Sequence, residues 1–308
     1  MRRFRPMNRG VALINALIVV AALAAVSVAL LARSDAARQR MALHLDADQA
    51  ALYLDDATML VARLIEDTSA DAVHLGQPWA APRSEVQIDR GTFGFRIADL
   101  QGRFNVNWMT RDDAMGEAAR IALTALARSQ GVPGAVAGRI QVALDPANQY
   151  RDSAFGGGGA ISAPPPLPLA SPAVLRLVSG GDGDRLDRLM PHLAALPPEL
   201  GLNVNTASLP VLAALIPALS PPDLAELDET RRQQPFRHVS EFLEWVEQVM
   251  GEDAALALEA LHLDVGSQWF EARLSARLDS VVLQRSAVLQ RRADSRRSTV
   301  VMSMPEVD

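Results

Sequence analysis

The sequence contains no cysteine and no lysine, so all 30 of its basic residues are arginine. Without cysteine the chain can form neither a disulfide framework nor a thiolate metal site, and thiol catalysis is excluded. Without lysine, Schiff-base chemistry and a lysine-dependent phosphate loop are excluded as well. Aromatic residues make up 5% of the chain and hydrophobic residues 49%, so the apolar content is mainly Ala, Leu and Val, which favours helix.

The sequence also lacks the usual signs of catalysis and of nucleic-acid binding. Its net charge is −6, so binding to nucleic acid would need a strong local basic patch. The glycine run 156–159 is not followed by the Lys-Ser/Thr of a P-loop, and no nucleophile elbow occurs. Five histidines are scattered without metal-ligand spacing: His44, His74, His192, His238 and His262. We therefore predict that the protein is not an enzyme.

The longest apolar run extends from Val11 to Leu31 and consists almost entirely of Val, Leu, Ile and Ala. At about 1.5 Å per residue, a helix of this length crosses a hydrocarbon core of about 30 Å. Only basic charges precede the run, which keeps that end in the cytoplasm; they are Arg2, Arg3, Arg5 and Arg9. The sequence predicts a single-pass inner-membrane anchor with the bulk of the chain in the periplasm.

Two features distinguish this segment from an ordinary anchor. The junction of Gly10 and Val11 follows a basic leader and directly precedes the apolar run, and it resembles the site cut by a prepilin peptidase. Asn15 is the one strongly polar residue inside the run. Pilins and most pseudopilins carry glutamate here, and the resemblance implies that this acid pairs with the new amino terminus of a neighbouring subunit. Asn15 offers no charge for that pairing.

The helical pattern continues beyond the membrane segment. Apolar residues from Leu43 to Leu64 recur at steps of four and three, and neither Pro nor Gly interrupts the chain from Val11 to Ala72. Alternating apolar residues then predict strands at 86–97 and at 270–278, with a third early strand at 104–107 and further strands at 281–289 and 299–302. We expect one antiparallel sheet built from both ends of the chain and packed on the helix.

The middle of the chain has helical periodicity and a distinctive motif. Short helices are predicted from Asp112 to Leu144 and again from Ser171, including one that carries the leucines from Leu186 to Leu196. The intervening Gly- and Pro-rich stretch is predicted to be a mobile loop. The strongest local signature is Leu202-Asn203-Val204-Asn205-Thr206-Ala207, which is typical of entry into a small SAM-like or helix-hairpin-helix domain.

Several motifs together resemble one family, the K-type minor pseudopilins of type II secretion. They are Gln77-Pro78-Trp79, the stretch from Asp99 to Asn107, and an amino-terminal anchor with Asn15 in place of the acid. The resemblance implies a position at the pseudopilus tip, where no subunit follows, and assembly with the I-type and J-type minor pseudopilins. It also implies contact with the exported substrate or the outer-membrane channel.

The expected fold class is α+β, with a long amino-terminal helix, a pilin-like antiparallel sheet and an inserted all-α domain of the SAM-like or helix-hairpin-helix kind. The expected division is a leader at 1–10, a membrane segment at 11–31, a spine helix and first strands at 32–111, an inserted helical domain at 112–264 with a loop at 145–172, and closing strands at 265–308.

Acidic residues in the insert suggest a calcium site. Asp182 and Asp184 lie in the glycine-rich stretch 180–184 and Asp187 follows it, at steps that can point oxygens toward one hard cation, although Asp and Gly at a helix start also serve as caps. The resemblance implies calcium in the helical insert. Of the acidic segment that the family carries in the loop, only Asp145 and Asp152 remain, which weakens the prediction of a metal there.

An alternative function comes from the helix-hairpin-helix pattern itself. Such modules bind DNA phosphates through the amides of a Gly-containing hairpin, so the chain could be an uncleaved single-pass protein with a periplasmic DNA-binding or scaffold domain. The expected hairpin, Ile216 to Pro222, has no Gly and three Pro, which removes donors. From Glu199 to Asp264 acids outnumber the only bases, Arg231, Arg232 and Arg237. We favour a scaffold for protein contact.

Overall fold

The computed structural model describes residues 9–81, 86–144, 169–178, 182–292, 295 and 297–306. Its first element is helix α1, Arg9–Glu66, whose 58 residues span about 87 Å. Every side chain from Leu13 to Leu45 is exposed, and burial begins at Asp46. The predicted continuous helix is therefore present, with its first half extending away from the folded body.

Helix α1 ends at Glu66, ten residues before Gly76, where the Gly and Pro of Gly76-Gln77-Pro78 predict its end, and a distant residue accounts for the earlier stop. The buried Arg291 reaches the end of α1 and donates to the carbonyl oxygens of Ile65 and Thr68 at 3.3 and 3.2 Å. Carbonyls at a helix end lack partners within the helix, and a cation there also complements the helix dipole. The chain then turns, and the Val73 amide donates to the carbonyl of Val265.

Five strands form one antiparallel sheet in the order β1-β2-β7-β8-β9. Their bounds are β1 Val86–Ile88, β2 Gly91–Asp99, β7 Trp269–Leu278, β8 Val281–Arg291 and β9 Ser298–Glu306. The central pairing of β2 with β7 joins residues more than 170 positions apart, as in Phe95 opposite Leu274. The prediction of one sheet from both ends of the chain is confirmed.

One face of this sheet packs on the second half of α1. Ala50, Leu54, Ala57, Val61 and Ile65 form the buried stripe of the helix. The sheet contributes every second residue of β7 from Phe270 to Leu278, as the period of two requires. Trp79 packs edge-on against Phe270 at 5.4 Å and closes the end of this core.

The prediction that residues 104–107 form a third strand of the main sheet is wrong. Strand β3, Phe104–Asn105, has only two residues and pairs in parallel with β4, Leu193–Ala194, in a separate small sheet. The chain then continues as a 3-10 helix, Val106–Thr110. The alternating pattern predicts burial correctly, because Phe104 and Val106 are fully buried, but their partners belong to the core of the insert.

In the described residues the insert consists of two units, each of which begins and ends with a two-residue strand and has helices between them. The first insert unit, residues 104–196, runs β3, α2 Ala114–Ser129, α3 Gly134–Leu144, α4 Leu175–Val178, α5 Gly183–Leu186 and β4. The second insert unit, residues 202–264, runs β5 Leu202–Asn203, α6 Leu209–Leu215, α7 Pro221–Gln233, α8 Val239–Met250, α9 Glu252–Glu259 and β6 Leu263–Asp264. In each unit the first and last strands pair in parallel. One hydrophobic core spans both units.

A second correction concerns the helix predicted across Leu186, Leu189, Leu193 and Leu196. Helix α5 ends at Leu186, a short 3-10 helix occupies Met190–His192, and Leu193 begins strand β4. All four leucines are nonetheless buried. Pairing of β4 with β3 wins over continued helix because it satisfies backbone groups that the closed unit removes from water.

Candidate functional site

The amino-terminal half of α1 places the predicted processing and assembly residues on one exposed helix. Gly10 and Val11 lie in its first turn, and residues 1–8 of the expected leader lie outside the described residues. The Asn15 side chain is exposed. Among the described residues, α1 is the one helix that is long and apolar enough to cross a membrane. Cleavage at Gly10 and an assembly role of Asn15 stay predictions.

From Met41 to Met59, helix α1 exposes a stripe of apolar side chains on the side away from the sheet. Met41, Leu45, Leu52 and Met59 lie at steps of four and seven and are each more than 60% exposed. These steps place the four side chains on one face of a helix. A stripe of this length indicates a surface that packs against another helix.

The connection between the sheet and the insert is built around the carboxylate of Asp99, at the end of β2. Its Oδ1 accepts from the Gln101 amide at 2.8 Å. Its Oδ2 accepts from Asn203 Nδ2 at 3.0 Å, Thr206 Oγ1 at 2.5 Å and Ser267 Oγ at 2.6 Å. We call this group the Asp99 junction. The junction joins the two segments that connect the sheet with the insert, at Gln101 and at Ser267, to Asn203 and Thr206 of the second insert unit.

The Asp99 junction is buried and closely packed. Burial raises the pKa of Asp99, although its four hydrogen-bond donors favour the charged form and lower the pKa in part. Gly102 lies so near that an added Cβ would stand 2.6 Å from Thr206 Oγ1 and 2.8 Å from the Thr206 carbonyl oxygen. The junction therefore holds the insert against the body with little room for adjustment.

Two copies of an Asn-Val-Asn motif begin the two insert units, and all four asparagines are buried. In each copy the first asparagine accepts from the amide of the second, Asn105 from Asn107 and Asn203 from Asn205. The second asparagine then binds both backbone groups of one residue at the start of the second half of its unit. Asn107 pairs with Leu169, and Asn205 pairs with Phe236.

The aspartates predicted to bind calcium are engaged by arginines. Asp182 accepts from Arg139 at 2.7 Å and from Arg185 at 3.2 Å, and Asp187 accepts from Arg176 at 2.6 Å. Asp184 is exposed, whereas Asp145 and Asp152 lie outside the described residues. Within the described ranges, no group of three or more His, Asp and Glu is arranged to hold a metal ion. In this arrangement the donors do not converge on a cation, and calcium binding stays a prediction.

The hairpin of the second insert unit is poorly suited to phosphate binding. Arg231 is only 6% exposed and donates inward to the carbonyls of Val204 and Ala207 and to Asp228. Arg232 pairs with the same Asp228. Two of the three bases in this region are therefore paired with protein groups, which speaks against the DNA-binding alternative.

Comparisons with known proteins agree with this architecture. Two family models, both described as type II secretion system protein K, match residues 102–198 and 202–264. Type II secretion system protein K of Klebsiella pneumoniae is 30% identical over 307 residues, with 92% of this chain and 93% of the relative covered. The chain belongs to the type II secretion system protein K family. The protein K of Pseudomonas aeruginosa is 29% identical, with 79% of this chain and 78% of the relative covered.

A solved structure supports the fold of this protein K family member. The crystal structure of the GspK-GspI-GspJ complex from enterotoxigenic Escherichia coli contains a similar chain with a TM-score of 0.68 and 23% identity. The likeness covers 87% of this chain and all of that one. The expected α+β class, with a long apolar helix, an antiparallel sheet and a helical insert, is confirmed. So is the role of a minor pseudopilin in type II secretion.

The comparisons also bear on localisation and on catalysis. One amino-terminal apolar helix fits a single-pass membrane anchor, as expected for a pseudopilin. The protein K family is a structural part of the secretion system and not a known enzyme family.

Sequence reasoning missed two residues of the structural core of this site. The sequence gives Asp99 only as part of a family-like stretch, and it does not single out Arg291. An acid at the end of a predicted strand, followed by a turn that contains Gly102, is a signal that could have singled out Asp99. No local signal marks Arg291, because the carbonyls that it binds are more than 220 residues away.

Proposed function

We propose that the protein is the minor pseudopilin that caps the tip of the type II secretion pseudopilus and supports export of folded proteins across the outer membrane. The observation that carries this proposal is that the same chain has an uncharged Asn15 in its anchor and a two-unit insert on its sheet. A subunit above this one would find no carboxylate for its amino terminus, and the insert would obstruct its stacking. Both features suit the last position of a fibre.

The proposed topology follows from α1. The apolar half lies in the inner membrane, the basic leader stays in the cytoplasm, and the sheet and insert lie in the periplasm. A prepilin peptidase removes residues 1–10, which leaves Val11 as the amino terminus. Mass spectrometry of the protein from cells tests this step, and an intact leader would support the alternative of an uncleaved membrane protein.

The proposed partners are the I-type and J-type minor pseudopilins. Support comes from the similar structure, which was solved as a complex of GspK with GspI and GspJ. The exposed stripe of α1 supplies a surface on this chain for helix packing. Contacts with the exported substrate or the outer-membrane channel would then fall to the insert.

Co-purification of the detergent-solubilised chain with the two partners tests this assignment. We expect Leu52→Arg, on the stripe, to reduce recovery of the complex, because it places a charge in a helix interface. Leu256→Arg is the matched control, since Leu256 is similarly exposed but lies on α9 of the insert. Equal recovery for both variants, or no complex with the unaltered chain, would contradict the proposed interface.

Asn15→Glu tests the argument from the missing charge. The side chain is exposed on α1, so we expect folding to be unaffected. If an uncharged residue is required for capping, the added carboxylate should impair tip assembly and secretion. Asn15→Gln is the control, because it changes length without adding charge, and it should secrete normally.

We propose a structural role without catalysis and keep calcium as a separate prediction. A calcium-binding state would have to break the ion pairs of Asp182 and Asp187 with arginine. Titration of the protein with calcium while following the melting temperature tests this. An upward shift that Asp182→Asn abolishes would support a site, and no shift at about millimolar calcium would remove it.

A further inference from the structure

Strand β9 forms an open edge of the sheet. It is nine residues long, whereas β1 at the opposite edge has three, and among the described residues no strand pairs with its outer side. Alternate residues of such an edge direct their N–H and C=O groups away from the sheet. Val300, Val301 and Met304 are 44–51% exposed, and no charge interrupts the strand before Glu306. A bulge at Val301 and Pro305, which has no N–H, interrupt its hydrogen-bonding groups. Outside these two positions the edge is open to another strand.

An apolar groove adjoins this edge. It has a volume of about 1040 Å³ and lies between the outer face of the sheet and the first insert unit. Met302 and Met304 of β9 and Val288 of β8 form its floor, and Leu169 and Leu196 of the insert form its wall. This volume lies at the upper end of those that bind small molecules, so it accommodates several side chains of a peptide.

The two ends of β9 carry opposite charges. Arg297 directly precedes the strand and is exposed, and Glu306 ends it, 3.6 Å from Arg273. A strand that pairs along this edge therefore meets Arg297 near Glu66 at one end and Glu306 beside Arg273 at the other. Its middle meets only uncharged side chains.

The geometry points to β9 as a docking edge for an extended segment of another protein, added as an antiparallel sixth strand. Main-chain hydrogen bonds to the outward groups of β9 supply affinity, and alternate apolar side chains enter the groove. The segment carries a base near its amino-terminal end, beside Glu306, and an acid near its carboxyl-terminal end, beside Arg297. We choose the antiparallel direction because every pair in this sheet is antiparallel. The inference does not depend on the position of the protein at a tip.

A synthetic peptide serves as the probe, with arginine first, alternating Val and Thr in the middle and glutamate last, carrying a fluorophore. Anisotropy with the full chain in detergent micelles measures its affinity. We expect the peptide with its two charges exchanged to bind about threefold more weakly, because two exposed ion pairs become repulsive. Equal binding of both peptides, or binding of neither, would overturn the proposal.

Two further comparisons separate strand addition from simple insertion into the groove. Peptides N-methylated at odd or at even positions lose donors on opposite edges, so one set should lose binding and the other keep it. Equal behaviour of the two sets rules out strand pairing. Val301→Lys should weaken binding about tenfold, because it charges the open edge, whereas Val282→Lys on β8, with similar exposure, should not. Loss of binding by both variants, or concentration-dependent self-association that blocks the peptide, would also count against the proposal.

Discussion

The two insert units use the same motif for different purposes. In the first unit the Asn105 side chain closes its own unit, since it donates to the carbonyl of Pro197 and accepts from the amide of Leu196. In the second unit Asn203 directs its amide outward, to the carbonyl of Val73 and to Asp99. The same local turn thus stabilises one unit internally and docks the other on the body.

This difference assigns separate mechanical roles to the two units. The second unit is fixed to the sheet through the Asp99 junction, which buries a carboxylate among four donors. The first unit shares a core with the second, where α2 packs on α6, and it meets the sheet through the apolar contacts of Ala194 and Leu196 with Trp269 and Val288. Variants that affect one role and not the other test this comparison most directly.

Asn203→Ala should cost more than Asn105→Ala. We expect losses of about 3–4 and about 2 kcal/mol in the free energy of unfolding, because only Asn203→Ala also deprives a buried carboxylate of a donor. Hydrogen exchange should locate the difference, with faster exchange at 99–103 and 264–269 for Asn203→Ala and at 193–197 for Asn105→Ala. Identical exchange maps would show that the two asparagines are equivalent after all.

Gly102→Ala should destabilise the junction by about 2–3 kcal/mol, because the new Cβ would overlap Thr206. Chemical denaturation of the full chain in detergent measures this. Gly134→Ala in the first unit is the control, since an added Cβ there has no neighbour within 4 Å, and it should be close to neutral. A neutral Gly102→Ala would mean that the junction is less closely packed than the structure shows.

Asp99→Asn should change how stability depends on pH. Because burial raises the pKa of Asp99 in the folded state, the folded protein binds the proton more tightly than the unfolded chain. This group therefore favours folding at low pH, and that contribution is lost as pH rises through the raised pKa. Asp99→Asn should lose this dependence and cost about 1–3 kcal/mol, because its amide group faces the Gln101 amide. Melting curves from about pH 4 to pH 7 measure both effects, and parallel pH profiles would contradict the assignment.

Gly138→Ala should have the smallest effect and the opposite sign. Gly138 lies inside α3 of the first unit, and an added Cβ would meet nothing within 4 Å. Alanine restricts the unfolded chain and favours helix, so we expect a gain of about 0.5–1 kcal/mol. Thermal melting of the variant beside the unaltered protein measures it, and a loss would indicate an unseen contact on this face of α3.

Periodicity predicted the parts of the fold in which one face of an element is buried. The apolar stripe on α1 and the alternation from Phe270 to Leu278 both lead to the same core. The Asn203 motif was singled out as the strongest signature, although its duplicate at Asn105 was interpreted as a strand of the main sheet. The apolar alternation at Asn105 could not show which sheet the strand joins. A short buried strand of the insert and a strand of the main sheet have the same alternation.

The sequence by itself determined the membrane helix, the composition that excludes thiol and lysine chemistry, the helical insert and the two ends that form one sheet. These properties depend on composition and local periodicity, which any folded state of this chain must satisfy. Tertiary structure alone decided that α1 stops at Glu66 beneath Arg291, and that Asn203 rather than Asn105 binds Asp99. The physical reason is that these hydrogen bonds join residues 104 to more than 220 positions apart. Identical local motifs therefore take different partners according to what the fold places beside them.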